Sequence, residues 1–431
     1  MKKLILNVAA IFLLGAFVSN AAAQEIKLKR VPRNISVEEL KKHEIAPANI
    51  RDIRIEEVKP NVRRIYKFKG KVIREKFKAK PKLDVNQFGE ILHFALKNQV
   101  AGYVLHVRQN GNKIYELKWD FAQTSANTNV GWNENARMHV ASVSKYLTAV
   151  GLVKALDSKG ISYDAKIINY LPDYWAKGNN IDKITFRHLM THKAGFNYAC
   201  CASDYNFMKS KVAGGVAAVG GNGHYHNMNF GLMRILIPII NGDVDKDAKF
   251  PPLTDIIWDG LTIGLYKDYM QDNVFEPAGV QNAGFAPVTL PNGAVIKDAL
   301  AYKYPTLNSQ KGWNSGDLKS MSGGAAWRLS IKELLDVMNH VRRKNTILPA
   351  AKAQMMLDNN FGIDWNGDTE AGKFYTKNGG WGNGAGQTEQ TVMFYFPDNI
   401  EVAVFVNSPI GAQNFFLSSM VSDVYKFALK D

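Results

Sequence analysis

Cysteine is almost absent from this 431-residue chain, which has only Cys200 and Cys201. Because the two are adjacent they cannot tie distant segments together, so the fold has to rest on a packed core and not on a disulfide framework. A vicinal disulfide is open to the pair in an oxidising compartment, but two thiols are the expectation. Neither cysteine has an evident base partner, so no thiol nucleophile is read here. Long apolar runs are lacking as well. The one near the start, Leu4 to Val18, is short and interrupted, and no later stretch reaches the roughly 20 apolar residues that cross a bilayer. The mature chain is therefore expected to have no transmembrane span.

Acidic residues are scarce in one region only. Residues 24–83 carry 19 Lys/Arg against 8 Asp/Glu, a net +11; Lys2 and Lys3 add two, which leaves +2 of the total +15 for everything after residue 83. The basicity thus belongs to an N-terminal extension, and the main body is nearly neutral. Such a cationic arm has two readings: contact with anionic cell-envelope polymers or lipid headgroups, or a solvated basic face. Nucleic acid is not the expected partner, since no binding module is recognisable and the chain reads as exported. The export reading comes from Met1-Lys2-Lys3, the apolar run and Ser19-Asn20-Ala21-Ala22-Ala23, which have the charged, apolar and small-residue parts of a secretory signal peptide cut after Ala23. With no cysteine at that site to carry a lipid, the product is expected to be secreted, periplasmic in a Gram-negative source.

What the body does have is periodicity. Val85 to Lys97 has helical spacing, and residues 101–108 and 113–118 alternate around Gln109-Asn110-Gly111-Asn112 as a hairpin. Ile184 to Phe196 reads as a helix stopping at Gly195, residues 197–224 as a polar, glycine-rich loop, and Tyr266 to Phe275 as a further helix, followed by loops through Ser322. Ser330-Ile331-Lys332-Glu333 is a capping box opening a helix to about Arg343. Residues 373–382, 391–396 and 402–406 read as antiparallel strands, and Phe415 to Leu429 as a closing helix. A hairpin at one end and strands at the other are expected to share one sheet.

Several residue groups invite chemistry. His188 and His192 have the i,i+4 spacing of two metal ligands, but the glutamate of a zinc protease motif is missing, so both are read as structural. Asp243, Asp245 and Asp247 begin like a calcium loop, yet Ala248 stands where glycine is needed and Thr254 where the closing glutamate belongs. No metal and no cofactor is expected. Ser142-Val143-Ser144-Lys145 is different. At the start of an apolar-periodic run (Leu147, Val150, Val153, Leu156) a helix would set the Lys145 amine beside the Ser142 hydroxyl, and burial would favour the neutral amine that can take the serine proton. Free N–H groups at the helix start suit an oxyanion. Taken alone, the pair also fits an ordinary N-cap serine with a surface lysine. Tyr225-His226-Asn227 could project a phenol and an amide into one cleft.

Taken together, three separated motifs resemble the serine β-lactamase and penicillin-binding-protein superfamily, closest to its class C β-lactamase-like branch. Ser142-Val143-Ser144-Lys145 resembles Ser-x-x-Lys, Tyr225-His226-Asn227 resembles Tyr-x-Asn, and Lys377-Asn378-Gly379 resembles the Lys-Thr-Gly strand motif. Thr191-His192-Lys193-Ala194-Gly195 is similar to the family's Thr-His-x-x-Gly stretch. The resemblance covers about residues 84–431 and implies an α+β fold, an antiparallel sheet flanked by helices with an inserted, mostly helical subdomain. The implied organisation is a signal peptide over 1–23, a basic extension over 24–83, and a serine hydrolase domain over 84–431, with its sheet from 84–125 and 370–431 and its helical part from about 140–345.

The resemblance also implies acyl transfer through an ester on Ser142, with Lys145 and Tyr225 sharing the proton transfers. Asn227 would orient Lys145 and a substrate amide. Lys377 would hold Tyr225 toward the phenolate and attract a substrate carboxylate, with Asn378, Gly379 and Gly380 lining the substrate side and the N–H groups of Ser142 and Gly380 meeting the oxyanion. The implied substrate is a small ester, amide or short peptide. Asn378 in place of threonine or serine, and the bulky His226, both argue against efficient β-lactam turnover. The alternative on the same fold is a penicillin-binding sensor or ligand-binding module that does not hydrolyse.

Overall fold

The computed structural model describes residues 80–198, 201–287 and 298–430. The signal-peptide segment, residues 24–79 of the basic extension and Cys200 lie outside the described residues. In chain order the elements are β1 (Lys82–Leu83), α1 (Val85–Leu96), β2 (Gly102–Gln109), β3 (Asn112–Gln123), β4 (Val130–Gly131), β5 (Arg137–His139), α2 (Ser144–Ser158), α3 (Phe186–Met190), α4 (Tyr205–Gly214), α5 (Met228–Gly231), α6 (Met233–Asn241) and α7 (Thr254–Met270). They continue with β6 (Arg328–Ser330), α8 (Ile331–Arg342), α9 (Ala350–Asp358), β7 (Trp365–Thr369), β8 (Gly372–Gly382), β9 (Thr388–Phe396), β10 (Ile400–Val406), α10 (Leu417–Phe427) and β11 (Leu429–Lys430).

Local chemistry explains several of these boundaries. Asp84 caps α1 by accepting from the Gln87 N–H at 3.0 Å. Asn110 and Gly111, both left-handed at φ 54° and 78°, make the tight turn between β2 and β3. Ser330 and Glu333 form the expected reciprocal capping box of α8. The two ends of the body do share one sheet: β2 pairs antiparallel with β10, Tyr103 opposite Val406 and Val107 opposite Val402. The sheet has seven strands in the order β4-β3-β2-β10-β9-β8-β7. It is antiparallel throughout. The pleat sorts side chains to its two faces. Val402, Val404 and Val406 meet α1 and α10 on one side, whereas Ala403 and Phe405 join the larger core built on α2 and α8 on the other. This is the α+β arrangement that the resemblance implies. Among the described residues, no helix is long and apolar enough to cross a membrane.

The departures have physical reasons. The helix expected over 184–196 ends at Met190, because His192 takes φ 57° and turns the chain out of the helix. The loop expected over 197–224 contains α4, which Asp204 caps and whose Tyr205, Met208 and Val212 form a buried stripe. Helix α7 begins at Thr254, well before the expected Tyr266. Cys201 is disulfide-bonded, against the expectation of thiols. Strand β1 pairs with β11 (Lys82 with Lys430), so the folded body includes the last two residues of the segment read as extension.

Glu401 of β10 points into the larger core, fully buried, and among the described residues neither carboxylate oxygen has a partner within hydrogen-bonding geometry. Its nearest countercharge is Arg342 Nε at 3.6 Å. Burial pushes its carboxyl up to about 7, only partly relieved by the Arg342 and Arg108 guanidinium groups. A carboxyl raised above its unfolded value destabilises the fold once it must ionise, so this contribution worsens as pH rises from about 4.5 to about 7. Glu401→Gln should therefore be more stable than the parent at pH 8, by roughly 1 to 3 kcal/mol. The gap should shrink toward zero at pH 4.5, read from urea unfolding at both pH values.

Candidate active site

The stretch Ser142-Val143-Ser144-Lys145 stands where β5 hands the chain to α2. His139 at the end of β5 is buried, with Nδ1 2.7 Å from Glu389 Oε1 on β9. The next residue, Val140, donates its N–H to the Trp327 carbonyl (2.9 Å) and accepts from Thr391 Oγ1 (2.9 Å). Ala141 is then forced to φ 46°, a left-handed conformation that costs a non-glycine residue energy and is kept only where the surroundings impose it. A single 3₁₀ turn, Ala141–Val143, carries Ser142 into α2, so the helix proper starts two residues after the serine.

Helix α2 is buried on every side, not along the one stripe legible in its sequence. Lys145 consequently has no exposed surface. Its Nζ lies 2.9 Å from Ser142 Oγ, 2.7 Å from Asn227 Oδ1 and 2.9 Å from the Gly324 carbonyl. An ammonium donating to all three oxygens fits these distances, and so does a neutral amine whose two N–H groups donate to the amide and carbonyl oxygens while its lone pair faces the serine hydroxyl. Burial depresses the Lys145 pKa, and the Lys377 charge adds to that effect against an opposing influence from Tyr225. Asn227 keeps its oxygen toward Lys145 because its Nδ2 donates to the Cys201 carbonyl at 3.0 Å.

Tyr225 lies against His192, their ring centroids 4.2 Å apart. His192 is held by the His226 N–H (3.3 Å) and the Asn229 side-chain amide (3.2 Å), and burial keeps it well below the usual histidine range. It braces the tyrosine as a neutral ring, and His188 closes the α3 capping box with Thr185. Lys377 Nζ donates to Tyr225 Oη at 3.3 Å. Burial alone would raise the phenol, but Lys145 and Lys377 together outweigh it and lower its pKa. His226 turns away, stacked on Phe207 at 5.8 Å, and does not crowd the cleft from the middle of its motif.

Strand β8 forms the opposite wall. A Cβ on Gly379 would lie 2.4 Å from the Val140 carbonyl and 3.0 Å from the Ser142 nitrogen, so the strand can run beside the serine only with glycine there. Gly380 follows with open space where a side chain would be. Lys377 and Asn378 point to opposite faces of the strand. Lys377 joins Tyr225, whereas Asn378 Nδ2 reaches Ser418 Oγ of α10, 3.5 Å away. The structure thus brings Ser142, Lys145, Tyr225, Asn227, Lys377, Gly379 and the Gly380 backbone to one place, but turns the Asn378 side chain elsewhere.

One charged group in the cleft escaped the sequence analysis. Asp364 pairs through Oδ1 with Lys377 Nζ, and its Oδ2 accepts the Asn378 N–H at 2.9 Å. Burial works against the Lys377 charge, but the Asp364 carboxylate and Tyr225 together more than offset it, so the Lys377 pKa is raised. The signal available was an acid within the otherwise apolar run Phe361-Gly362-Ile363-Asp364-Trp365. Elsewhere, donor atoms of His106 and Glu116 on the β2–β3 hairpin and of Glu134 between β4 and β5 lie within 4.8 Å of one another. Lys113 already bridges both carboxylates and Lys118 sits 2.6 Å from Glu116, so the group is neutral without a metal.

Because Gly379 fixes the gap between β8 and the Ser142 turn, Gly379→Ala should leave the sheet folded but push the strand back from the serine. We expect at least a tenfold slower reaction of Ser142 with an active-site ester, measured beside an unchanged far-ultraviolet circular dichroism spectrum.

The Beta-lactamase family profile matches residues 73–418. Among solved structures, the chain is similar to a β-lactamase/D-alanine carboxypeptidase from Yersinia pestis complexed with citrate, at 15% identity and TM-score 0.59 over 80% of this chain and 96% of that one. It is similar also to the octameric penicillin-binding protein homologue from Pyrococcus abyssi, at 16% identity and TM-score 0.58 over 80% and 77% of the two chains. A D-amino acid amidase from Ochrobactrum anthropi SV3 complexed with L-phenylalanine shares 15% identity and TM-score 0.57 over 79% and 96%. At these identities the likeness is one of fold. With a family match over most of its length, this chain belongs to the Beta-lactamase family.

Proposed function

We propose that the protein is an exported serine hydrolase that cleaves an ester or amide through an acyl-enzyme on Ser142. The observation that carries this reading is the 2.9 Å contact between Ser142 Oγ and the fully buried Lys145 Nζ, whose other two partners are acceptors. That arrangement leaves the amine lone pair for the serine proton. Ser142 Oγ attacks the substrate carbonyl carbon as its proton passes to Lys145. The oxyanion is met by the Ser142 and Gly380 N–H groups. When the bond to the leaving group breaks, Tyr225 supplies that group with a proton, and the Lys377 charge stabilises the phenolate left behind. Water then attacks the acyl ester along the reverse proton path, releasing the acid and restoring Ser142.

The wider family context supports hydrolysis of amides and peptides built on D-amino acids, since fold relatives include an amidase and a carboxypeptidase of that kind. Peptidoglycan-derived amides, simple esters and β-lactams are the substrate classes to compare. The signal-peptide pattern of residues 1–23 supports export, and the disulfide at Cys201 fits an oxidising compartment.

Intact-protein mass after exposure to a fluorophosphonate tests the proposal. The parent should gain a single adduct, and Ser142→Ala should gain none while keeping its fold, since the lost hydroxyl contact costs on the order of 1 kcal/mol. A parent that stays unmodified, or a variant modified at the parent's rate, overturns the assignment.

A further inference from the structure

The Lys377 charge is already committed. Its partner Asp364 is held in place by backbone contacts on neighbouring segments. Gly362, at φ 70°, brings the chain so close to α2 that a Cβ there would lie 2.8 Å from the Lys145 carbonyl and 3.0 Å from Tyr146 Cα. Gly362 N–H donates to the Met190 carbonyl at 3.1 Å, and Asp364 N–H to the Thr376 carbonyl at 3.0 Å. Both carboxylate oxygens are engaged, one by the Lys377 ammonium and one by the Asn378 N–H. No rotamer change is needed to keep the pair, and none is free to break it without losing both contacts.

The two members of the pair are not equally accessible. The Lys377 side chain is 1% exposed and that of Asp364 17%, so the carboxylate is the more accessible member. A substrate carboxylate brought to Lys377 would have to displace Asp364 or sit against its negative charge, and like charges a few ångströms apart in a poorly solvated cleft repel strongly. Asn378 gives no compensating donor, because its amide lies toward Ser418 on the other side of the strand. A substrate carboxylate attracted to Lys377, as the resemblance implies, would thus have to compete with this pair.

We infer that Asp364 is a specificity determinant of the Ser142 site: it neutralises Lys377, so the cleft takes substrates with an uncharged polar group beside the scissile bond and rejects those with a carboxylate there. Lys377 remains a partner for Tyr225, at 3.3 Å, which the reaction needs. This rests on the hydrolase reading and narrows its substrate class to esters and amides whose leaving group carries no acid. A dipeptide with a free C-terminal carboxylate is the wrong substrate; its amide or ester is the right one.

The test compares two matched esters, the acetate of 3-hydroxybenzoic acid and the acetate of 3-hydroxybenzamide, which differ in charge and hardly in leaving-group reactivity. The parent should favour the carboxamide ester by at least tenfold in kcat/KM. Asp364→Asn keeps an oxygen for the Asn378 N–H and removes the negative charge, and it should shift that ratio at least tenfold toward the carboxylate ester. Because each enzyme serves as its own reference, a general loss of activity in the variant leaves the ratio readable. A parent that prefers the carboxylate ester overturns the inference by itself, without need of the variant, and so does a folded variant with an unchanged ratio. Fluorophosphonate labelling of the same preparation separates the failures: labelling without discrimination removes only the inference, and no labelling removes the hydrolase reading with it.

Discussion

A lysine amine with no access to water is the constraint on which the rest of this structure depends. Lys145 can be buried only because α2 is covered on every side, by the sheet and α8 and by the helical layers built on α6 and α7. It can be buried without ruinous cost because its Nζ meets three oxygens, from Ser142, Asn227 and Gly324. Each of those oxygens comes from a different part of the chain, so the fold has to bring three segments to one nitrogen. The Cys201 carbonyl fixes the orientation of Asn227, and Gly323, left-handed at φ 86°, lets the 323–324 turn pass within reach. Fold and chemistry are coupled at this one atom.

The second constraint is close approach. Three glycines, at 323, 362 and 379, stand where an added Cβ would lie between 2.4 and 3.0 Å from backbone of a neighbouring segment. They are the points at which the walls of the cleft touch: the 323–324 turn against α5, the turn before β7 against α2, and β8 against the Ser142 turn. Through the second of these contacts Asp364 reaches Lys377, and through the third β8 lies alongside the serine. Four ionisable groups then interact within a few ångströms, and their influences are ordered. Burial disfavours the charged form of Lys145, while Asp364 helps keep Lys377 charged. The Lys377 charge, and that of Lys145 once it has taken the serine proton, in turn ease the ionisation of Tyr225.

Much of this was legible in the residues themselves. The Ser142–Lys145 spacing, the capping box at Ser330, the Asn110-Gly111 turn and the sharing of one sheet by the two ends of the body all follow from local rules. The rest depends on tertiary contacts that leave little trace in a single sequence. Helix α4 hides in a stretch rich in glycine because its stripe is only three residues, Tyr205, Met208 and Val212. The helix before Gly195 stops early because His192 is needed under Tyr225, where a helical backbone would not place it. Asn378 occupies a motif position that suggests substrate contact, but the alternation of strand side chains sends it to α10. Asp364 belongs to none of the motifs and becomes meaningful only once β7 and β8 are paired. Local pattern identifies the candidate groups; packing decides which charges they face.

The central claim is that Lys145 is the neutral amine that activates Ser142. It is tested most directly by a ¹⁵N NMR titration of the lysine side chains, with the Lys145 Nζ signal assigned by its loss in Lys145→Met. The account predicts that this nitrogen loses its proton well below the ordinary lysine value of about 10.4 and is neutral over the pH range in which Ser142 reacts. A Lys145 signal that remains an ammonium up to the ordinary value while Ser142 is still reactive would contradict it.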